Sequence, residues 1–147
     1  MDKFDAFSND DHSDIVPTDT NFTSAVLAWC ITRLKARYPF LRVGITGTSV
    51  MGKPIYCIKI GNGSNEVFYN ASHHANEWIT SLLLMRFLES YARNCAFGGK
   101  IFDINAQLLY SKTTLTMIPM VNPDGVDLVT GALSEGDYFN RAVEMAR

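Results

Sequence analysis

Apolar side chains recur at helical spacing over residues 22–38. Phe22, Val26, Leu27, Cys30, Ile31 and Leu34 share one face, Thr20 can cap the start, and Pro39 stops the run. Residues 41–48 are β-rich, interrupted by Gly44 and Gly47, and 51–54 read as a turn. Residues 55–60 alternate partially and predict a second strand. Gly61-Asn62-Gly63-Ser64-Asn65 is a strong turn signal. Together these segments predict an antiparallel hairpin. Residues 67–71 read as a short strand covered on both faces. A long helix is expected over 77–94, where Ile79, Leu82, Leu83, Leu84, Met85, Phe87, Leu88 and Tyr91 leave little polar surface, so it should be well buried. After the Gly98-Gly99 break, 102–109 predict a short helix and 113–120 an interior strand of Thr, Leu, Met and Ile. Asn122-Pro123-Asp124-Gly125 reads as a turn, and 137–147 as a further helix. Strands alternating with helices imply an α/β fold with a mixed parallel and antiparallel sheet and flanking helices. Residues 1–19 read as an acidic, flexible leader, and 20–147 as one domain.

Composition narrows the functional classes. Apolar residues make up 47% of the 147 positions and charged residues 19%, the mix of a globular domain with a real core. The net charge of −2 comes with no basic stripe, which argues against nucleic acid as a partner. No segment has the roughly 18 uninterrupted apolar residues of a membrane span, so no membrane association is expected. The start of the chain carries Asp10, Asp11 and Asp14 where a secretory signal needs a basic then apolar run, which points to a cytoplasmic location. Cys30, Cys57 and Cys95 are odd in number, widely spaced and without a CxxC pair. They read as reduced, small apolar residues rather than a disulfide framework or a cysteine metal site.

The stretch that carries chemistry is 72–78. His74 and Glu77 stand three apart at a predicted strand-to-helix junction, where ligands gather in open α/β sheets. An imidazole there and a carboxylate in the first helical turn can converge on one point. Both are standard zinc donors, and two His with one Glu is a known catalytic set that leaves a position for water. The same residues also have an ordinary structural reading. The helix dipole favours Glu77 where it stands, Asn76 can be the helix cap, and His73 and His74 can be half-buried and satisfied by backbone. His73 lacks the spacing to Glu77 and reads as a neighbour. His12 lies in the acidic leader and is expected to be exposed.

Residues 68–80, FYNASHHANEWIT, resemble the zinc-binding segment of the metallocarboxypeptidases, in which a strand ends in a small residue followed by His-x-x-Glu and Trp. MVNPDG at 120–125 resembles a second family marker, placed after the next buried strand. GTSVMGKPIYCIKIG at 47–61 looks like the family's opening β-hairpin. The resemblance covers about residues 20–147, in the amino-terminal half of the family's fold. It implies a zinc peptidase with His74 and Glu77 as two of three ligands to one zinc ion. Many members carry Arg before the ligand Glu, where it helps hold substrate. Here that residue is Asn76, a candidate substrate contact. His-Ala-Asn-Glu and the continuation NPDGVDLVTGAL resemble the branch of γ-D-glutamyl-L-diamino acid peptidases, which cut bacterial cell-wall peptides between D-glutamate and the diamino acid. The implied partner is therefore a peptide, a peptidoglycan peptide in particular.

The family's third ligand, a His in a Ser-x-His segment, its general-base Glu and its substrate-clamping Arg have no counterpart here. After Gly125 there is no His, and only Arg141 and Arg147 remain of the arginines. The base is expected beyond Arg147, and no catalytic residue is assigned within the chain. A two-donor site holds zinc weakly, and a missing base forfeits about 10²–10⁴ in rate, so the 147 residues alone are expected to be inactive. The apolar faces of the 113–120 strand and the 77–94 helix are expected to be partly uncovered. Competing readings are an ordinary carboxypeptidase releasing C-terminal amino acids, and a non-catalytic binding module or remnant.

Overall fold

A computed structural model describes residues 13–145. The first helix, α1 (Ser24–Arg37), is capped by Thr23, whose Oγ1 accepts the Val26 N–H at 3.2 Å. The cap is thus one turn later than Thr20: Thr23 directly precedes the first helical residue and has the extended backbone that lets its hydroxyl fold onto the first turn. Leu27, Cys30, Ile31 and Leu34 form its buried face, as the spacing predicted. At its end, Lys35 Nζ donates to the Pro39 and Leu41 carbonyls, placing a cation at the negative helix terminus.

Strands β1 (Arg42–Thr48) and β2 (Pro54–Gly61) form the expected antiparallel hairpin, with a bulge between Ile45 and Gly47. Gly61 has φ +100°, and a Cβ there would lie 2.0 Å from the Thr113 carbonyl oxygen, so only glycine lets the end of β2 run this close to the strand paired with it. β3 (Asn65–Asn70) leads through the 72–78 segment into α2 (Ile79–Phe97), which Gly98 ends at φ +72°. Two-residue strands β4 (Lys100–Ile101) and β5 (Ile104–Asn105) pair around Phe102 and Asp103, both at positive φ. That tight turn displaces the helix expected over 102–109, and α3 runs Ala106–Lys112 instead. β6 (Thr113–Ile118) follows, then α4 (Pro123–Val129) and α5 (Asp137–Met145).

The main sheet has the order β1-β2-β6-β3, with β2–β6 antiparallel and β3–β6 parallel. This is the mixed sheet with flanking helices that the alternation of elements predicted. One core joins Phe22, Leu27 and Leu34, Ile58 and Ile60 of β2, Met85, Leu88 and Tyr91 of α2, and Leu115 and Met117 of β6. Two expectations about cover are corrected. β6 is an interior strand, with Leu115 4% and Met117 1% exposed, so its apolar side chains are not laid open. β3 is not covered on both faces. It is an edge strand with every residue exposed, including Val67, Phe68 and Tyr69. Its apolar composition, like that of a central strand, disguised its place. Ile79 and Leu83 of α2 are exposed as well, and an apolar cleft of about 430 Å³ lies among Tyr69, Leu83, Phe87 and Phe102.

Of the leader, 13–19 are described and are not loose: Ile15 and Val16 belong to the core. His12 lies outside the described residues. Among those residues, no helix is long and apolar enough to cross a membrane.

Candidate metal centre

β3 delivers the chain to the junction, and the segment after β6 fixes it there. The Ala71 N–H donates to the Ile118 carbonyl (3.1 Å), Val121 N–H to the Ala71 carbonyl (3.0 Å), and Asn122 N–H to the Ser72 carbonyl (3.0 Å). Ser72 is buried and sits at φ +52°, in the left-handed region that costs a non-glycine residue about 1–2 kcal/mol. The surroundings hold it. Its N–H donates to Thr80 Oγ1 at 3.1 Å, and its hydroxyl meets Ser81 Oγ at 2.6 Å. Both partners belong to the first turn of α2, so this one strained residue ties strand end to helix start and turns the following histidines outward.

His73 and His74 are therefore exposed, not half-buried. The His73 ring is held by Asn70 Oδ1 (2.9 Å from Nε2), and its carbonyl accepts from Asn122 Nδ2 at 3.3 Å. Glu77 closes a single 3-10 turn (Ala75–Glu77) ahead of α2. Its Oε2 lies 3.3 Å from His74 Nδ1, and its Oε1 accepts the His74 backbone N–H at 3.2 Å. These two bonds, the backbone one first, hold the Glu77 carboxyl below the usual carboxylate range, so it is ionised at neutral pH. The His74 side chain is 86% exposed and that of Glu77 41%. Asn76 is exposed within the turn. It is not the cap of α2: that position is Trp78, which makes no side-chain capping bond.

The pair fits two positions of a zinc site. With bonds of about 2.0–2.1 Å and tetrahedral angles, two donors on one zinc ion stand about 3.3 Å apart. The Nδ1–Oε2 separation is 3.3 Å, and both atoms belong to exposed side chains at a strand's carboxyl end. Among the described residues, no group of three or more His, Cys, Asp or Glu converges on a metal position.

The NPDG segment is not a free-standing turn. Asn122 caps α4, its Oδ1 accepting the Gly125 N–H at 2.9 Å, and Pro123 occupies the first helical turn, where its missing N–H costs nothing. α4 packs against the Ala75–Glu77 turn. Asp124 accepts from Ser49 Oγ (2.9 Å) and Met51 N–H (3.0 Å). Asp127 accepts Lys53 Nζ (2.6 Å) and Ser24 N–H (2.7 Å). This segment clamps the β1–β2 turn and the start of α1 onto the back of the site. Ser72, Asn122 and Asp127 had no assigned role in the sequence. The spacing of Asp124 and Asp127 on one helix face was the available signal.

The chain belongs to the zinc carboxypeptidase family, whose model matches residues 27–143. Among relatives, the γ-D-glutamyl-L-diamino acid endopeptidase 1 of Lysinibacillus sphaericus is 43% identical over 115 residues, 78% of this chain and 29% of its own length. Carboxypeptidase B of Bos taurus is 33% identical over 82 residues, 54% of this chain and 18% of its own. The crystal structure of thrombin activatable fibrinolysis inhibitor shares the fold with a TM-score of 0.65 at 23% identity, over 82% of this chain and 31% of that one. The chain spans less than a third of the length of these relatives.

Proposed function

We propose that these residues form the metal-binding portion of a zinc-dependent peptidase that hydrolyses γ-D-glutamyl–diamino acid bonds in bacterial cell-wall peptides. The observation that carries the metal assignment is the exposed His74–Glu77 pair, with donor atoms 3.3 Å apart. Zinc bound there supplies a Lewis acid for the scissile carbonyl and an acidified water. The chain's own residues hold the geometry. The His74 imidazole and the ionised Glu77 donate to the ion, Ser72 and Asn122 fix the backbone around them, and Asn76 stands exposed between the donors as the substrate-facing residue. The substrate class is supported by the 43% identity to the L. sphaericus endopeptidase and by Asn76 in place of the more usual Arg. A second reading, release of C-terminal amino acids, draws on the 33% identity to carboxypeptidase B.

Zinc titration by calorimetry tests the metal assignment. The 147-residue chain should bind one zinc weakly, and His74→Ala or Glu77→Gln should each lower the affinity by more than about tenfold. Unchanged binding in either variant would sink the assignment. The chain by itself should not hydrolyse peptides. Zinc-loaded chain whose hydrolysis is abolished by His74→Ala would show that two donors suffice. The substrate class is tested on a longer protein containing these residues, offered a γ-D-glutamyl–diamino acid peptide beside an ordinary C-terminal peptide. Preference for the latter would favour the second reading.

A further inference from the structure

Residues 13–16 run along α2 and precede the 27–143 stretch that the family model matches. Pro17 disfavours a helical Val16, and the chain bends at Ile15 and Val16, which turns two consecutive N–H groups the same way. Both meet a single carboxylate. Ile15 N–H donates to Glu89 Oε1 at 2.6 Å and Val16 N–H to Glu89 Oε2 at 3.0 Å. Glu89 is 1% exposed. Arg86 and Arg93 flank it one turn to either side, bonded to Glu89 at 3.2 and 3.3 Å and to Asp14 at 2.7 and 2.6 Å. Arg86 also donates to the Val16 carbonyl at 3.3 Å. The closed cluster balances two acids against two bases, and Ile15 and Val16 fill the core beneath it.

We propose that residues 13–16 are a strap that opens and closes on α2 independently of global unfolding, with Glu89, Arg86 and Arg93 as its receptor. Opening orphans no buried charge, because Glu89 keeps both arginines on its own helix. The open receptor carries one excess positive charge and two carboxylate oxygens. It therefore selects an acidic residue followed by apolar residues with free N–H groups, which in this chain is Asp14-Ile15-Val16. The strap bears on α2, the helix whose first turn holds Ser72.

Amide hydrogen exchange on the full chain tests this. The Ile15 and Val16 amides should exchange faster than those of Leu115 and Met117 in β6, the mark of a sub-global opening. Asp14→Asn should accelerate the strap amides about two- to fivefold, and the β6 amides by no more than the same factor. Glu89→Gln, which sets an NH₂ against one of the strap N–H groups, should accelerate them more than about tenfold. Strap and β6 amides exchanging with one protection in the unaltered protein overturns the proposal, as does Asp14→Asn accelerating β6 while leaving the strap amides unchanged. Strap amides that keep their rates in Glu89→Gln overturn the assignment of Glu89 as receptor.

Discussion

Two carboxylates serve α2 in opposite ways. Glu89, midway along the helix, is buried and accepts two backbone N–H groups and two guanidinium groups, so its capacity is used within the protein. Glu77, just before the helix, is partly exposed and meets chiefly the backbone and imidazole of His74, with the His73 backbone beside them. A saturated carboxylate is scaffold, since any further ligand would have to displace partners already in place. An under-used one beside an imidazole can still take up a ligand. The contrast separates scaffold from candidate site more clearly than residue type does, because both residues are glutamates with basic neighbours three positions away.

Removing each carboxylate should break the molecule in a different place. Glu89→Ala leaves the Ile15 and Val16 N–H groups buried without acceptors, and should cost about 2–4 kcal/mol in urea unfolding. Glu77→Ala should leave the unfolding midpoint where it is and abolish the zinc titration. If Glu77→Ala unfolds the chain and Glu89→Ala does not, the roles are reversed. Ser72 lies between the two extremes. Ser72→Ala loses the buried hydroxyl contact with Ser81 while keeping the left-handed strain, for about 1–2 kcal/mol of stability. Ser72→Gly loses the same contact but relieves the strain, so its midpoint should fall clearly less than that of Ser72→Ala. Equal losses in the two variants would remove strain from the account of the junction.

The exposure of the buried thiols follows the same logic of saturation and access. Burial pushes the Cys30 and Cys95 thiols up to about 12, so both are inert at neutral pH. This matches the reading of the cysteines as small apolar residues.

Much of the fold was legible because periodicity reports local burial. The faces of α1 and α2, the hairpin and the β6 run all followed from it. What failed depended on neighbours that pattern does not name. Val67, Phe68 and Tyr69 look like a doubly covered strand, yet β3 is an edge, because strand order is a tertiary fact. Asn122-Pro123-Asp124-Gly125 has turn composition but opens α4, since asparagine followed by proline is also a helix start. Thr20 and Thr23 are both plausible caps by residue type, and the observed start of α1 at Ser24 selects Thr23. At the site, the His74–Glu77 contact was legible from spacing alone. The tie through Ser72 was not, because a serine at positive φ leaves no mark in composition. Glu89 could have been suspected from Arg86 and Arg93 placed three before and four after it, but nothing local reveals that the fourfold acceptor faces inward to receive residues more than seventy positions earlier.

The smallest effect belongs to Asp14, and it carries a sign that can be checked. Hydrogen bonds from Arg86, then Arg93, lower its carboxyl to about 2, against about 3.9 in an unfolded chain. A group whose folded value is depressed adds stability that is complete above the unfolded value and is lost as pH falls through the folded one. The Asp14 contribution should therefore be constant above about pH 5 and gone below about pH 2. Its side chain is 48% exposed, so solvent screening reduces the contribution to under about 1 kcal/mol, well short of a full conversion of the shift. Asp14→Asn should accordingly lower the unfolding free energy by that small amount at neutral pH. The difference from the unaltered chain should shrink to nothing on acidification, and it should also shrink in 1 M salt, where the screening length is about 3 Å. A difference that grows as pH falls would mean that the acid is held protonated in the fold, and the strap would then be fixed by Glu89 and apolar burial alone.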